Sequence, residues 1–480
     1  MPTRHSASRR TARRLPYDRA VTGYPLEPDD TTLQTWGDAV LSRVVDHERS
    51  LADVPVARYD VAESLLELLA ARPPEDAGDL PVLLDVVGEA ARVGLVPSSP
   101  GYLAYVPVSG LYAGALAELL AAGLNRYVTI ARIAPALAAL ENSVIRWLCE
   151  LFGFPAASAG ILTSGGSMAN FSGVVTARVS RLGDRFADGV VYVGEHTHHS
   201  VAKSARLAGF PPDALRTVAS GDGFRLDVDA LGRAVTDDRA AGRRPALVVA
   251  NAGSTDTGSV DALGPLADLC GREGLWLHVD AAYGGFFQLT ERGRRRLSGI
   301  ERADSITVDP HKGLFLPLAT GALVVRDVAT LRAAHALEAT YLQDAQPWGD
   351  VLSAADLSPE LSRDFRGLRV WLPLHLHGVA AFRDALDEKL DLTMVAYEAL
   401  RQTDGLEVLH EPELTTVAFR AHDDDHTRAV LEHVNQSGRV VLSSTMLDGR
   451  PALRMCIQGH RTHRGRVDEA LALVREGLRC

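Results

Sequence analysis

From about residue 110 onward, the sequence alternates short apolar runs with stretches that have helical spacing. Six of the runs end in glycine or polar residues, as buried strands do: AGILTSG, GVVYVGE, ALVVANAG, LWLHVDAAY, SITVDPH and GALVVRD. Amphipathic stretches such as YAGALAELLAAGL precede them, and further helical stretches separate them. Buried strands that alternate with helices form largely parallel sheets, so we expect an α/β fold with helices on both faces of a mostly parallel central sheet.

The rest of the chain divides into segments with different patterns. Residues 1–30 begin with a stretch rich in Arg and Ser that predicts a flexible tail, although a transit peptide is an alternative. Residues 31–95 have apolar residues at helical spacing and predict an N-terminal helical segment. Residues 96–372 carry the sheet pattern of a large domain. Residues 373–480 mix short strands with helices, which is typical of a small α+β domain.

The bulk composition excludes several classes of protein. A net charge of −11 argues against a nucleic-acid partner, because such proteins normally present a basic face. The apolar runs are too short for a membrane span, so no membrane partner is expected. The four cysteines lack the spacing of a zinc site and indicate free thiols in a reducing, cytoplasmic compartment.

Lysine is rare in this chain, since only three of its 50 lysine and arginine residues are lysines. Lys203 and Lys389 lie in helical stretches and are expected to be solvated surface charges. Lys312 instead follows a buried strand and a Pro-His pair in DSITVDPHKGLFLP, where an exposed flexible side chain would be unusual. A partly desolvated lysine can lose its proton and attack a carbonyl, which a guanidinium cannot do. Lys312 is therefore a candidate for forming a Schiff base.

A Schiff-base lysine serves aldolases as well as enzymes that use pyridoxal 5′-phosphate (PLP), and PLP needs further groups. Asp280, at a strand end 32 residues before Lys312, could hold the proton of a pyridine nitrogen or could cap the next helix. The glycine-rich turn in LTSGGSMANF offers backbone N–H groups and the Ser167 hydroxyl to a phosphate. His198 in GEHTHHSV could stack on the ring. The three histidines there also leave a zinc site open, but no matched acid or cysteine lies nearby in the sequence, so no metal is expected.

Five motifs in this order resemble the group II PLP-dependent amino-acid decarboxylases: TSGGSMAN, EHTHHSVAK, NAGSTDTGSVD, LHVDAAYGG and DPHKGL. The resemblance covers nearly the whole chain from about residue 30 and includes SSPGYLAYVP and SRDFRGLRVW. It implies the fold type I, aspartate-aminotransferase-like architecture, with PLP bound by residues 96–372. It also implies a homodimer with the active site at the subunit interface, and an amino acid or amino-acid conjugate as the small-molecule substrate.

The resemblance further implies roles for individual residues. Lys312 would bind PLP as an imine, Asp280 would pair with the ring nitrogen, and His198 would stack on the ring near the substrate carboxylate. These three residues would be catalytic. The other contacts to the cofactor would come from Gly165, Gly166, Ser167, Thr255, Ala282, Asp309 and His311. The substrate would be contacted by Tyr105 and Pro107, and by Tyr127 and Thr129 from the partner subunit.

Departures from the family pattern leave the outcome of the reaction open. Family decarboxylases carry a tyrosine, on a loop between the lysine and the Ser-Arg motif, that protonates the carbon from which CO2 leaves. Here the loop, residues 342–360, contains no tyrosine, and the corresponding position falls near Ala354. An L-amino-acid α-decarboxylase is therefore the first expectation. The same-family alternatives are decarboxylation-coupled oxidative deamination to an aldehyde and C–S β-elimination, as in natural-product metabolism, and a non-enzymatic protein on this fold is the alternative of another class.

The expected substrate pocket also departs from the pattern of aromatic-specific members. Val106 and Thr129 stand where those members carry bulkier aromatic residues. The identity of the amino-acid substrate therefore stays open.

Overall fold

The computed structural model describes residues 26–336 and 348–479. Most of the predicted flexible tail, residues 1–25, and the start of the predicted tyrosine-free loop lie outside the described residues. The described residues up to Ser50 form one compact unit together with Val61–Arg92. Leu51–Asp60 and the described residues from Val93 onward form a second unit.

The first unit consists of three helices, which are α1 (Asp30–Ser50), α2 (Glu63–Ala70) and α3 (Leu80–Ala91). Arg43 of α1 forms an ion pair with Asp85 of α3. No residue of α1 or α3 is buried. Trp36 of α1 and Val87 of α3 are among several large apolar side chains that stay exposed. This unit therefore presents exposed apolar helix surface.

The second unit contains a short antiparallel pair, β1 (Ala57–Arg58) with β2 (Gly94–Leu95), and a seven-stranded main sheet. The strands of the main sheet are β3 (Ala159–Thr163), β4 (Gly189–Gly194), β5 (Leu215–Val218), β6 (Arg244–Asn251), β7 (Trp276–Asp280), β8 (Ser305–Val308) and β9 (Gly321–Val325). Their order across the sheet is β3-β9-β8-β7-β6-β4-β5. Among these described strands, β9 alone runs in the direction opposite to the other six, so the predicted mostly parallel sheet is confirmed.

Helices cover both faces of the main sheet, as predicted. The helices of this part of the chain are α4 (Tyr112–Leu124), α5 (Pro135–Leu151), α6 (Gly166–Leu182), α7 (His199–Leu207), α8 (Val228–Ala240), α9 (Leu263–Glu273), α10 (Glu291–Arg296), α11 (Pro310–Gly313) and α12 (Val328–His335). Buried residues of α5, α8 and α9 join the apolar cluster on one face of the sheet, and those of α6, α7 and α12 join the cluster on the other. Successive residues of a strand point to opposite faces. Val190 and Tyr192 of β4 accordingly pack into one apolar cluster, and Val191 and Val193 pack into another.

The C-terminal part of the chain forms a smaller α+β layer, as predicted. The long helix α13 (Gly367–Arg401) leads into four antiparallel strands: β10 (Leu406–Val408), β11 (Thr416–Ala421), β12 (Ser443–Leu447) and β13 (Arg450–Cys456). Helices α14 (Asp424–Gln436) and α15 (Arg464–Gly477) complete the layer. The boundary placed between residues 372 and 373 lies inside α13. Gly378, with φ 74°, interrupts the regular helical backbone of α13 shortly afterwards.

Lys389 on α13 is a buried charge, so the prediction of a solvated surface lysine was wrong. Its side chain is 0% exposed, and Nζ donates to the Thr462 carbonyl at 2.6 Å and to Glu388 Oε2 at 2.7 Å. Burial lowers the pKa of Lys389, and the hydrogen bond to Glu388 opposes this effect. The charged stretch DALDEKLDL hid this position, because helical spacing places Lys389 on the same inner face as Phe382 and Leu386.

The described part of the chain has no helix that combines the length and the apolarity needed to cross a membrane. Its cysteines are Cys149, Cys270 and Cys456, and all three are buried free thiols. Burial raises the pKa of each thiol. These cysteines are therefore poorly suited to act as nucleophiles.

Candidate active site

The predicted cofactor residues line one cavity at the carboxyl ends of the parallel strands. The cavity has a volume of about 290 Å³ and is enclosed by the segments that follow β3, β4, β6, β7 and β8. Sites in open α/β sheets form at this edge. All ten residues predicted to contact the cofactor line the cavity: Gly165, Gly166, Ser167, His198, Thr255, Asp280, Ala282, Asp309, His311 and Lys312.

Lys312 lies on the one-turn helix α11, immediately after β8, and its side chain is 24% exposed. Its amine nitrogen is 3.0 Å from Asp309 Oδ2. The Asp309 side chain is only 2% exposed, and its second oxygen, Oδ1, has no hydrogen-bond partner among the described residues. The cavity thus holds one partly shielded amine and one buried carboxylate with a vacant acceptor.

The N-terminus of α6 forms an open glycine turn beside this carboxylate. Gly165 precedes the helix with φ 149°, and none of the described side chains caps α6, whereas Asp227 caps α8 and Asp327 caps α12. A Cβ atom placed on Gly166 would lie 3.0 Å from Asp309 Oδ2. Free backbone N–H groups at a helix N-terminus attract anions. The turn is therefore suited to hold a phosphate group.

His311 lies on the same side of the cavity as this turn. Its Nδ1–H donates to the Thr320 carbonyl at 2.7 Å, and its backbone N–H donates to the same oxygen at 3.2 Å. The other ring nitrogen, Nε2, is 3.6 Å from Asp309 Oδ2. Burial lowers the pKa of His311. A neutral, firmly oriented imidazole therefore stands beside the predicted phosphate position.

Asp280 lies at the end of β7 and is 7% exposed. Its Oδ1 accepts from the Ala282 N–H at 3.1 Å, and its Oδ2 accepts from Asn170 Nδ2 at 2.8 Å. The alternative that Asp280 caps the following helix is wrong, because the next helical turn, Gly285–Leu289, has Gly284 as its N-cap. The carboxylate is thus available to the cavity.

His198 caps the N-terminus of α7 with its own ring. Nδ1 accepts from the Ser200 N–H at 3.3 Å and lies 2.8 Å from the Ser200 hydroxyl. Burial lowers the pKa of His198, and the nearby Asp280 opposes this effect. The ring is therefore fixed in orientation by residues of its own helix.

The neighbouring histidines do not gather around a common centre. Nδ1 of His196 lies 3.3 Å from Asp256 Oδ2, whereas His198 is bound to Ser200. Among residues 26–336 and 348–479, no group of three or more His, Cys, Asp or Glu side chains is placed to hold a metal ion.

The two substrate residues predicted from the same subunit, Tyr105 and Pro107, are not among the residues that line the cavity. Tyr105 is 56% exposed and has φ 51°. Its backbone N–H donates to Ser443 Oγ at 2.9 Å, and its carbonyl accepts from Arg454 at 3.1 Å. Pro107 is buried. Their substrate roles stay predictions.

The two residues predicted to act from the partner subunit, Tyr127 and Thr129, are also absent from the cavity lining. The Tyr127 hydroxyl donates to the Leu361 carbonyl at 3.0 Å. Thr129 is 1% exposed, and its carbonyl accepts from the Ala355 N–H at 3.1 Å. Both roles stay predictions.

Nine further residues line the cavity and were not predicted from the sequence as site residues. They are Ser164, Met168, Asn170, Ser200, Asn251, Gly253, Tyr283, Leu318 and Ala319. Asn170 could have been found from the sequence, because it lies one helical turn after Gly166 and must therefore face the same side of α6.

The residues present fit the donor set that PLP requires. The uncapped start of α6 suits the phosphate, Lys312 suits the aldehyde, and the buried Asp280 suits the ring nitrogen. The Asp309 carboxylate is the exception, because its unpartnered acceptor lies beside the turn and its negative charge opposes that of a phosphate group.

The chain is similar to known proteins in both sequence and structure. Residues 63–422 match a family model described as the pyridoxal-dependent decarboxylase conserved domain. The chain is 33% identical over 442 residues to an aromatic-L-amino-acid decarboxylase from Bacillus atrophaeus, and the alignment covers 89% of this chain and 91% of the relative. It is 28% identical over 482 residues to a phenylacetaldehyde synthase from Arabidopsis thaliana, and that alignment covers 95% of this chain and 98% of the relative. The crystal structure of Oryza sativa TDC with PLP and tryptamine matches with a TM-score of 0.89 at 26% identity, covering 95% of this chain and 99% of that chain.

Proposed function

Because the chain belongs to the pyridoxal-dependent decarboxylase family and is a PLP-dependent lyase, we propose that it removes the α-carboxyl group of an L-amino acid in the cavity beside Lys312. The observation that carries this proposal is the convergence of Lys312, Asp280 and His198 on one cavity that also contains the uncapped start of α6. When bound, PLP supplies an aldehyde carbon that links to amines and a ring that withdraws the electrons left by CO2.

The residues of this chain would hold the cofactor at three points. Gly165, Gly166 and Ser167 would bind the phosphate through the N-terminus of α6. The Asp280 carboxylate would keep the proton on the ring nitrogen, and the bond from Asn170 would hold that carboxylate in place. Binding at these points would fix the ring relative to Lys312.

Lys312 and His198 would act on the substrate side of the cavity. The Lys312 amine is held by Asp309 Oδ2 at 3.0 Å, so it is restrained at the cavity wall before any carbonyl arrives. The half-buried imidazole of His198 would cover the site, exclude water and meet the substrate carboxylate.

The proposal is tested by incubating the full-length, PLP-loaded protein with a panel of L-amino acids under air and under nitrogen. CO2, amine, aldehyde and peroxide are measured in both atmospheres. Equal yields of amine and CO2 with and without oxygen support α-decarboxylation. If PLP binds but no amino acid in the panel releases CO2, the proposal is wrong.

Oxidative production of an aldehyde is a second candidate, and one observation favours it. Residues 342–360 contain no tyrosine, and Tyr341 lies outside the described residues. Ala354 is not among the residues that line the cavity, and the neighbouring Ala355 N–H donates to the Thr129 carbonyl. Oxygen-dependent aldehyde and peroxide in the same assay would select this reaction. Release of pyruvate and ammonia without CO2 would select β-elimination.

The active unit in this proposal is a homodimer. The 21-residue helix α1 has no buried residue and exposes Leu33, Trp36, Val40 and Leu41. Helix α4 separately exposes Leu116, Leu119, Leu120 and Leu124. Apolar faces of this extent are usually covered by another chain. Light scattering on the purified protein should give twice the mass of one chain, whereas a monomer at micromolar concentration would contradict the proposal.

A cytoplasmic location also belongs to this proposal. It is supported by the three buried free thiols in the described part of the chain, which are typical of a reducing compartment. Cell fractionation of the native host with an antibody against the protein tests it, and recovery with extracellular or membrane fractions would contradict it.

A further inference from the structure

A continuous chain of hydrogen-bonded side chains runs beneath the cavity and ends at two of the catalytic candidates. Its members are at most 3% exposed until it reaches Asp280 and His198. The distances along it are 2.8 Å for Trp276 Nε1 to Ser305 Oγ, 2.7 Å for Ser305 Oγ to His278 Nδ1, and 3.0 Å for His278 Nε2 to Asn170 Oδ1. Asn170 Nδ2 then lies 2.8 Å from Asp280 Oδ2 and 3.0 Å from Ser200 Oγ.

The tryptophan end is compatible with one direction along this chain. An indole N–H can only donate, so the Ser305 oxygen accepts from Trp276, and its own proton can go to His278 Nδ1. Burial lowers the pKa of His278 to about 4, so the ring is neutral near pH 7 and carries one proton. In this arrangement that proton lies on Nε2, which faces the Asn170 oxygen and also lies 3.3 Å from Thr307 Oγ1.

The carboxylate end fixes this direction. Carboxylate oxygens only accept, so the Asn170 group that faces Asp280 must be its NH2. The Asn170 oxygen then faces His278, so Nε2 carries the proton of the neutral ring and Nδ1 accepts from Ser305. The carboxylate thus assigns one orientation to the Asn170 amide, and the contact with Trp276 is consistent with it.

The amide orientation favours one state of His198. The second N–H of Asn170 donates to the Ser200 oxygen, which leaves the Ser200 proton available to His198 Nδ1 at 2.8 Å. The Ser200 backbone N–H donates to the same nitrogen at 3.3 Å. With Nδ1 accepting twice, the neutral His198 ring carries its proton on Nε2.

We propose that Asn170 is a positioning residue that holds the Asp280 carboxylate and, through Ser200, sets the Nε2–H tautomer of His198. The inference rests on the proposed function, because the tautomer matters only if His198 meets a substrate carboxylate. An Nε2–H in this position is a hydrogen-bond donor that needs no reorientation when an anionic substrate group arrives. The buried hydrogen bond from His278 orients Asn170, and Asn170 in turn orients Asp280 and, through Ser200, His198.

The electrostatic surroundings of His198 are compatible with a neutral ring. Burial is the main effect on this histidine and lowers its pKa. The charged and titratable groups that act on it are Asp280, His199, Lys312 and Asp309. Two of these groups are acidic and two are basic, so their effects partly offset one another.

The test is 15N NMR of the full-length, PLP-loaded protein, labelled at histidine nitrogens and measured without substrate at pH 8. A His198→Gln variant assigns the signals. In the wild type, the protonated nitrogen of His198 should be Nε2 and the unprotonated one Nδ1. Ser200→Ala and Asn170→Asp should bring the two 15N chemical shifts of His198 closer together. In each variant the hydroxyl donor to Nδ1 is removed or turned toward residue 170, and only the longer bond from the Ser200 backbone N–H remains.

Two matched variants complete the test. Ser200→Thr keeps a hydroxyl and should retain the wild-type tautomer, and so should Ser204→Ala, which changes a buried serine one turn further along α7. A protonated Nδ1 in the wild type, or an unchanged tautomer in Asn170→Asp, would overturn the proposal even if Ser200→Ala failed to fold. The measurement uses no turnover, so a protein that shows this tautomer but releases no CO2 would contradict only the proposed function.

Discussion

The amine of Lys312 and the carboxylate of Asp309 form an ion pair of 3.0 Å within one turn of chain. The same carboxylate is 2% exposed, keeps one oxygen without a hydrogen-bond partner among the described residues, and abuts Gly166. A single acidic group thus stands between the nucleophile and the glycine turn suited to phosphate. It restrains the lysine, and it also opposes a second negative charge at the turn.

Replacing Asp309 with asparagine should strengthen PLP binding. The change removes the negative charge beside the phosphate position and supplies an N–H where an oxygen now lacks a partner. We expect the dissociation constant for PLP to fall about tenfold, which corresponds to about 1.4 kcal/mol, in a fluorescence titration at pH 8. Asp188→Asn, at an exposed ion pair with Arg244, serves as the control. Weaker binding in Asp309→Asn would show that the carboxylate assists the phosphate.

Lys312→Arg should preserve the charge next to Asp309 but abolish covalent attachment of PLP. Guanidinium does not lose its proton, so it cannot attack the aldehyde. We expect loss of the visible absorbance that borohydride removes in the wild type, and a fall in turnover of about 10⁴-fold. Lys203→Arg, which changes an exposed lysine, should behave like the wild type. A yellow, active Lys312→Arg protein would show that another amine carries the cofactor.

Gly166→Ala should weaken PLP binding while leaving the fold intact. The new methyl group would lie 3.0 Å from Asp309 Oδ2 and 3.1 Å from Ala282 Cβ, so it would crowd the turn suited to phosphate. We expect at least about a tenfold higher dissociation constant. Gly271→Ala on α9 has no heavy atom within 4 Å of the added Cβ and should leave PLP affinity unchanged. Equal affinities for the two variants would place the phosphate elsewhere.

Lys389→Ala should destabilise the protein more than the replacement of a solvated lysine would. It removes the donor to the Thr462 carbonyl and leaves a gap in the inner face of α13. We expect a loss of about 2–4 kcal/mol in the free energy of unfolding, measured with urea. Lys203→Ala is the exposed control. A change within about 0.5 kcal/mol would mean that Lys389 is solvated, as its charged sequence neighbourhood predicted.

The stability of the protein should fall below neutral pH, in part through His460. Desolvation and the nearby cations Arg461 and Lys389 lower its pKa to about 3, against about 6.5 in an unfolded chain. Below pH 6.5 the unfolded state therefore binds a proton at His460 that the folded state does not bind. The contribution of His460 to stability decreases as the pH falls, until the folded state also binds the proton near pH 3. When the pH is lowered from 7.5 to 5.0, the free energy of unfolding measured with urea should fall by about 1–2 kcal/mol less in His460→Gln than in the wild type. An exposed control, His426→Gln, should follow the wild type.

Much of the fold could be predicted because buried strands leave an apolar pattern that does not depend on their neighbours. All six predicted strands of the main sheet are present. The strand β5 was missed because its sequence, LRTV, includes Arg216 and Thr217 and is only partly buried at the sheet edge. The antiparallel direction of β9 could not be predicted, because a continuous apolar run indicates a buried strand but carries no information about the strand's direction.

Residues of the site could be predicted where they follow strand ends in recognisable motifs, as Lys312 and Asp280 do. His278 was missed because its contact with Asn170 joins residues 108 positions apart, on β7 and α6. No local pattern reports such a contact. Lys389 was misassigned for a related reason, because its carbonyl partner Thr462 lies 73 positions away.

The reversal of β9 has a consequence for the lysine. Because β9 runs back alongside β8, the 12-residue link from Asp309 to Thr320 starts and finishes at the same rim of the sheet. The backbone N–H and the ring Nδ1–H of His311 both donate to the Thr320 carbonyl, and these bonds connect the two ends of that link. An amine carried on such a short, tethered link would return to one place after each catalytic cycle.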